Sequence, residues 1–305
     1  MSPRDTADLT PPPGSRSGVV LVGGGGMLGR AWRELLDGRG TPYTAPPRGR
    51  LDLADPAGLD AHLPEGTRLV INCAAYTNVD AAEENEAQAT HVNATGVGRL
   101  AQRCAQIGAT LVHYSTDYVF AGDADTPYPV DAPIAPLGAY GRSKAAGEAA
   151  IREANGPHLI LRTSWLYAPW GQNFVRTMLR LTAEKDQLRV VDDQRGRPTS
   201  AIHLADVSQR LLDAGATGTY HVTDGGECTW CEFTREIARL AGPPSSDCDI
   251  QPCTTADFPR PAPRPAYSVL DLTTTQALVG PMPPWQSNLA EVLTGLQDTG
   301  QDQQD

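Results

Sequence analysis

Apolar and polar positions along the first half of the chain fall into two alternating textures. Gly18-Val19-Val20-Leu21-Val22, Arg68-Leu69-Val70-Ile71-Asn72-Cys73, residues 111–120 and Leu159-Ile160-Leu161-Arg162-Thr163-Ser164 are short, nearly continuous apolar runs that read as buried strands. Between them, residues 30–36 and 90–108 carry apolar side chains at helical spacing. Strands alternating with helices over short connections predict an α/β architecture, a doubly wound parallel sheet covered on both faces. Past Ala168 the texture changes. Residues 173–182 form an amphipathic helical pattern, 188–192 a short strand and 193–199 a polar loop. The Pro-rich run 259–265 is neither regular helix nor central strand, and reads as an extended segment over a smaller mixed α/β lobe.

Chemistry sits where the strands end. The first strand runs directly into Gly23-Gly24-Gly25-Gly26-Met27-Leu28-Gly29, and helical sequence follows at once. Glycines at 23, 26 and 29 allow a tight turn, let a pyrophosphate approach bare backbone, and present it to a helix N-terminus. The turn makes the sheet a Rossmann-type one. The next strand opens into Ala74-Ala75-Tyr76-Thr77, small residues that let a cofactor lie close to the backbone, and Asn93 on the following helix is a candidate buried polar relay. The run 111–120 ends in Ser115, Thr116 and Asp117, at the edge that faces the ligand crevice in such a sheet. Tyr140 and Lys144 stand one helical turn apart. A phenol titrates near ~10, so it works as an acid or base at neutral pH only where a nearby positive charge favours the phenolate. Lys144 is expected to supply that charge, and Lys144 and Lys185 are the only lysines beside 23 Arg. Singly, each feature has a plain structural explanation: an exposed helical pair, a flexible linker, a turn residue. Their coincidence in one chain favours a redox site. The organisation that follows is a disordered extension over 1–17, an NAD(P)-binding domain over 18–167 to which strands near 200–225 return, a mainly substrate-binding lobe over 168–296, and a flexible tail over 297–305.

Composition narrows the partners. A net charge of −11 argues against a nucleic-acid surface, and no apolar run approaches the ~20 residues that span a bilayer. Residues 1–17 are polar, with Pro11-Pro12-Pro13 and no secretory h-region, so a cytoplasmic protein is expected. Six cysteines include Cys228-Thr229-Trp230-Cys231, with Cys248 and Cys253 further on. A zinc site needs better-spaced ligands, and Cys231 fits a buried apolar position of a helix, so reduced thiols and no metal ligand are expected.

These residues resemble the extended branch of the short-chain dehydrogenase/reductase superfamily, and within it the dTDP-4-dehydrorhamnose reductases. The resemblance covers about residues 18–296. It is carried by the glycine-rich turn, 70–77 with Val79-Asp80-Ala81-Ala82-Glu83, 113–120, 140–144, Arg162-Thr163-Ser164-Trp165-Leu166-Tyr167, 193–199 and Arg264-Pro265-Ala266-Tyr267-Ser268-Val269-Leu270. It implies NAD(P)H bound across Gly23, Gly26, Met27, Leu28 and Gly29, with Asp52 and Leu53 near the adenine and Ala75, Tyr76 and Thr77 along the ribose-phosphate track. The implied substrate is a dTDP-linked 4-keto-6-deoxysugar. Tyr140 then protonates the C4 oxygen as hydride reaches C4, Lys144 holds the nicotinamide ribose and lowers the phenol pKa, and Thr116 tunes Tyr140. Asp117 contacts the sugar, Trp165 stacks on or encloses it, and Asn173 with the 194–199 loop reaches the diphosphate. The related dehydratases carry an acid directly after the Thr-Asp pair; here Tyr118 stands there, which favours a reductase. Residues 43–48, where a carboxylate would mark an NAD site, hold no acid but do hold Arg48, so NADPH is the expected cofactor with NADH also usable. The resemblance to family members that are metal-bridged dimers held by glutamates also suggests Mg²⁺ and a homodimer, without assigning the carboxylates of the bridge to residues of this chain. Whether the product feeds a polysaccharide or an antibiotic sugar is left open.

Overall fold

A computed structural model describes residues 18–53 and 55–301; the extension expected over 1–17 and the last four residues of the chain lie outside them. Strand β1 (Val19–Val22) passes through the glycine turn into α1 (Met27–Gly38), and α2 (Pro56–His62) precedes β2 (Leu69–Asn72). Helices α3 (Val79–Glu84), α4 (Glu86–Thr90) and α5 (Val97–Ile107) lead to β3 (Thr110–Thr116), with a π-helical turn at His91–Gly96 between the last two helices. Then come α6 (Ala139–Glu153), β4 (His158–Thr163), β5 (Leu166–Tyr167), α7 (Phe174–Glu184), β6 (Gln187–Val191), β7 (Arg195–Gly196) and β8 (Thr199–Ser200). The chain finishes with α8 (Ala201–Asp213), β9 (Gly218–His221), β10 (Cys228–Thr229), α9 (Trp230–Ala241), β11 (Asp249–Cys253), α10 (Thr273–Val279) and α11 (Trp285–Gln301).

The main sheet has five strands in the order β1-β2-β3-β4-β9, all parallel. Its apolar runs are continuous because both faces are covered, and the strand period of two divides each run between two cores. Val19, Leu21, Leu159 and Leu161 pack with Trp32 of α1 and Leu204 and Val207 of α8. Val20, Val22 and Ile160 pack on the other side with Val97 and Leu100 of α5 and Ile151 of α6. β9, which falls in sequence between the segments of the smaller lobe, completes the sheet beside β4. Outside β1, the chain after α1 adds only a bridge at Thr44, whose N–H and C=O bond Val19 and Leu21 at 2.9 and 2.8 Å. Pro46 and Pro47 follow, and without N–H donors they cannot extend that bridge into a strand.

The smaller lobe gathers Tyr167, Phe233 and Trp285 around α7, α9 and α11, with β6 and β11 paired in parallel at its edge. The Pro-rich segment departs from expectation. It lies against the first half of the molecule: Arg264 pairs with Asp80 at 2.8 Å, and Pro265 and Pro263 pack at Gly122 and Gly138. Helix α11 continues to Gln301, through residues expected to be tail. No described helix is long and apolar enough to cross a membrane.

Candidate active site

A cavity of about 1000 Å³ opens at the C-terminal ends of β1 to β4. That is the upper end of the ~300–1,000 Å³ common for ligand sites, enough for a ligand larger than a single sugar. One wall is the glycine turn. Gly23 adopts φ +76°, and a Cβ there would stand 2.6 Å from the Ala74 nitrogen. Gly26 caps α1 without a side-chain hydrogen bond, and nothing lies within 4 Å of a Cβ built on Gly25. Bare backbone and the open first turn of α1, with Met27 and Leu28 on the wall, form a cradle that suits a pyrophosphate. The residues present therefore fit a dinucleotide. Gly29 does not line the cavity; it is buried because a Cβ would stand 2.2 Å from the Gly23 carbonyl oxygen, so it closes the helix onto the turn. Arg48, Asp52 and Leu53 line the far end together with Arg33 of α1. Arg33 stands seven residues after Gly26, two helical turns on, which places it on the same helical side as the cradle.

Ala75 and Thr77 line the cavity and Tyr76 does not. Its N–H donates to the Asn93 side-chain oxygen at 2.8 Å, and its carbonyl accepts from the Asn93 amide at 3.0 Å. Asn93, in the π-helical turn, also donates to Ser143 Oγ at 3.0 Å, so it ties the β2 loop to α6. Gly147 lets the two elements meet, since a Cβ there would stand 2.1 Å from the Asn93 carbonyl oxygen.

Thr116, Asp117, Tyr118, Tyr140 and Lys144 share the other end. Thr116 Oγ1 donates to Asp117 at 2.9 Å, and Tyr118 sits edge-on to Tyr140 with ring centres 6.1 Å apart. Burial lifts the Asp117 carboxyl to about 6, against hydrogen bonds from Ser268 and Thr116. Burial, and then the Asp117 charge, push the Tyr140 phenol above its ordinary value, with Thr116 pulling the other way. Burial, rather than Lys144, dominates the phenol in this structure. Lys144 Nζ is buried against the Tyr114 carbonyl oxygen at 2.6 Å and His113 Nε2 at 3.1 Å, and burial lowers its pKa to about 8 while Glu148 opposes.

Trp165 lines the cavity in a left-handed backbone conformation, φ +45°. One face of its indole is covered by Trp230, ring centres 3.5 Å apart and planes within 9°, and both indoles line the cavity. This wall is thus a pair of indoles, where the sequence indicated one. Gln194 does not reach the cavity; it accepts from Trp230 Nε1 at 3.2 Å, and the 194–199 loop supports the pair from behind. Asn173 is committed elsewhere. Its oxygen caps α7 at Arg176 N, 3.2 Å, and its amide donates to the carbonyls of Ala168 and Trp170 at 2.8 and 3.2 Å. Gly171 and Gln172 line the cavity in its place. The described cysteines are free, with Cys228 and Cys231 both buried, and among the described residues no group of three His, Cys, Asp or Glu is placed to hold a metal.

The family described as RmlD substrate binding domain matches residues 17–298. A dTDP-4-dehydrorhamnose reductase of Streptomyces griseus is 42% identical over 285 residues, covering 91% of this chain and 93% of that protein. A Streptomyces antibioticus protein named as a probable dTDP-4,6-dihydroxy-2-methyloxan-3-one 4-ketoreductase is also 42% identical, covering 91% of this chain and 95% of its own length. The solved structure of dTDP-4-dehydrorhamnose reductase from Bacillus anthracis in complex with NADP matches with a TM-score of 0.85 at 35% identity, covering 91% of this chain and 98% of that one. A sheet closed by β9, a glycine cradle and a Tyr–Lys pair in one cavity agree with these likenesses, and the chain belongs to the RmlD substrate-binding-domain family, that of the dTDP-4-dehydrorhamnose reductases.

Proposed function

We propose that this chain reduces the C4 ketone of dTDP-4-dehydro-L-rhamnose, or of a closely related dTDP-linked 4-keto-6-deoxyhexose, to the alcohol with NADPH. The observation that carries the reading is the single cavity that joins the glycine cradle at one end to Tyr140, Thr116 and Asp117 at the other. NADPH, when bound, supplies the hydride. Tyr140 supplies the proton. Its raised pKa keeps the phenol protonated at neutral pH, and an alkoxide growing on the ketone oxygen is a stronger base than a phenolate, so the transfer runs downhill. Thr116 holds Asp117, and Asp117 presents a carboxylate to sugar hydroxyls above about pH 6. The Trp165–Trp230 pair offers a flat apolar surface to a sugar ring or base. Arg33 and Arg48, with no acid in 43–48, favour the 2′-phosphate of NADPH. A cytoplasmic setting, where thiols stay reduced, fits the free cysteines.

The test is stoichiometric NADPH oxidation with a dTDP-4-keto-6-deoxyhexose, with the product identified by NMR. Nucleotide binding without oxidation would overturn the reductase reading. The Streptomyces antibioticus relative favours a second substrate within the same reaction class, a 2-deoxy 4-keto sugar, and a comparison of kcat/KM on the two sugars decides between them.

A further inference from the structure

The first turn of α6, which carries Tyr140, is held from outside its own helix. A helix leaves its first N–H groups without intrahelical partners, and an N-cap side chain ordinarily takes one of them. The N-cap here is Gly138, which has no side chain, and no acid stands in the first turn. Glu83 of α3 fills the gap: its Oε1 accepts from the Ala139 N–H at 2.8 Å. The two residues are fitted to each other, since a Cβ on Gly138 would stand 2.6 Å from that same oxygen. Glu86 of α4 takes hold on the other side, accepting two bonds from the Arg142 guanidinium at 2.7 and 2.9 Å. Tyr140 lies between these two grips. It packs against the buried Ala82, Ala89 and Ala139, so α3 and α4 also form the bed on which it rests.

We propose that Glu83 is a positioning residue for Tyr140: its carboxylate caps α6 from a neighbouring helix and so fixes where the phenol stands in the cavity.

Glu83 does not line the cavity, so its influence on the reaction passes through the helix. Of the two grips, the Glu86–Arg142 pair is half-exposed on both sides and joins flexible side chains, which makes it the weaker. The Glu83 bond is part-buried, charge-assisted and made to the backbone beside Tyr140, so it fixes the position and rotation of the turn itself. Helix α3 is a firm base for it. Asn78 caps α3 by accepting from the Ala81 N–H at 3.1 Å, and Asp80 accepts from Arg264 of the Pro-rich segment at 2.8 Å. The consequence rests on the reductase reading. A proton donor must come within about 2.6–3.2 Å of the ketone oxygen, and a misplacement of about 1 Å costs on the order of 10²-fold in rate. The capping bond is therefore placed to act on kcat more than on the affinity for either ligand.

In the full-length enzyme, Glu83→Ala is expected to lower kcat by about ten- to hundredfold while NADPH affinity is unchanged. Glu83→Gln keeps an oxygen acceptor at the same reach and is expected to recover most of that loss. Gly138→Ala pushes Glu83 off Ala139 and supplies no cap, so it is expected to lower kcat as Glu83→Ala does. The decisive variant combines Glu83→Ala with Gly138→Ser. Truncating Glu83 clears the space beside Gly138, whose extended backbone, φ −115° and ψ 168°, accepts a serine, and the hydroxyl then caps α6 from within. This pair is expected to restore kcat towards the wild-type rate. A second readout needs no substrate: amide hydrogen exchange at residues 139–141, followed by NMR, is expected to quicken about tenfold or more in Glu83→Ala and to slow again in the double variant, with β4 unchanged. Wild-type kcat in Glu83→Ala overturns the proposal, as does a double variant no faster than Glu83→Ala. So does a loss in Glu83→Ala that extends to NADPH affinity and to exchange in β4, because that marks general loosening. If Glu83→Ala does not fold, Gly138→Ala and Glu83→Gln decide it, and a Gly138→Ala enzyme at the wild-type rate overturns the proposal. No turnover by the wild type means that the substrate reading has failed, and the exchange rates then decide the capping alone. Turnover by the wild type with unchanged exchange in Glu83→Ala overturns the capping and leaves the substrate reading standing.

Discussion

The two ends of the cavity are built from different materials. At the glycine end the walls are backbone: Gly23, Gly25 and Gly26 stand where side chains would intrude, and the first turn of α1 supplies N–H groups. At the Tyr140 end the walls are side chains whose settings depend on partners from far along the chain, as Tyr140 depends on Asp117, Lys144 on His113, and Trp165 on Trp230. Damage at the first end is steric and should be seen in binding and stability together. Damage at the second end is chemical and should separate chemistry from binding.

The largest effect expected is from Tyr140→Phe. It should lower kcat by about 10²–10⁴-fold while NADPH affinity stays as in the wild type, because only the proton donor is removed. Steady-state rates with a fluorescence titration of NADPH check it, and turnover at the wild-type rate would mean that the acid lies elsewhere. Arg162→Met comes next. It leaves the Glu148 carboxylate, which is 1% exposed, with only the half-exposed Arg152, and should destabilise the protein by about 3–5 kcal/mol in urea denaturation. Gly29→Ala drives a methyl into the Gly23 carbonyl oxygen and should lower stability by about 1–3 kcal/mol, with nucleotide affinity falling alongside. If binding survives unchanged there, the turn is more compliant than the cradle picture allows.

Two smaller effects sharpen the picture of the Tyr140 end. Trp230→Ala should raise KM for the dTDP-sugar by about tenfold, the scale of one lost aromatic contact, with NADPH affinity unaffected. Equal losses for both ligands would show that the indole pair supports the whole cavity. The last test is pH. Asp117 has its folded pKa raised from 3.8 to about 6, so between those values the folded protein binds more protons than the unfolded chain. The stability this gives is fully present below about 3.8 and is lost as pH rises to about 6, while contact of the carboxylate with the sugar is gained over the same range. The wild type should show an acid limb in kcat/KM near 6, and Asp117→Asn should flatten both the limb and the stability slope.

The parallel sheet, its two covered faces and the glycine turn were legible in the sequence because each is a local pattern. Four apolar residues in a row, glycines three apart and a Tyr four residues before a Lys have meaning within a single turn or strand. The far edge of the sheet was less legible, since Pro46-Pro47 stops at Thr44 what the alternation of elements would make a strand. Asn173 illustrates the other failure. Its place after a loop suits a ligand contact as well as a helix cap, and only the positions of the Ala168 and Trp170 carbonyls show that its amide is already engaged.

By itself, then, the sequence determined the α/β class, the glycine turn after β1 and the one-turn spacing of Tyr140 and Lys144, all of which follow from spacing and backbone freedom. Only the tertiary structure decided which face of Trp165 is covered, what the Pro-rich segment packs against, and that Lys144 faces His113 and the Tyr114 carbonyl instead of pairing with the phenol. The reason is that charge and hydrogen-bonding capacity belong to a residue, but pKa and orientation belong to its neighbours. His113 is 31 residues from Lys144 and 41 from Asn72, distances over which no local pattern carries information.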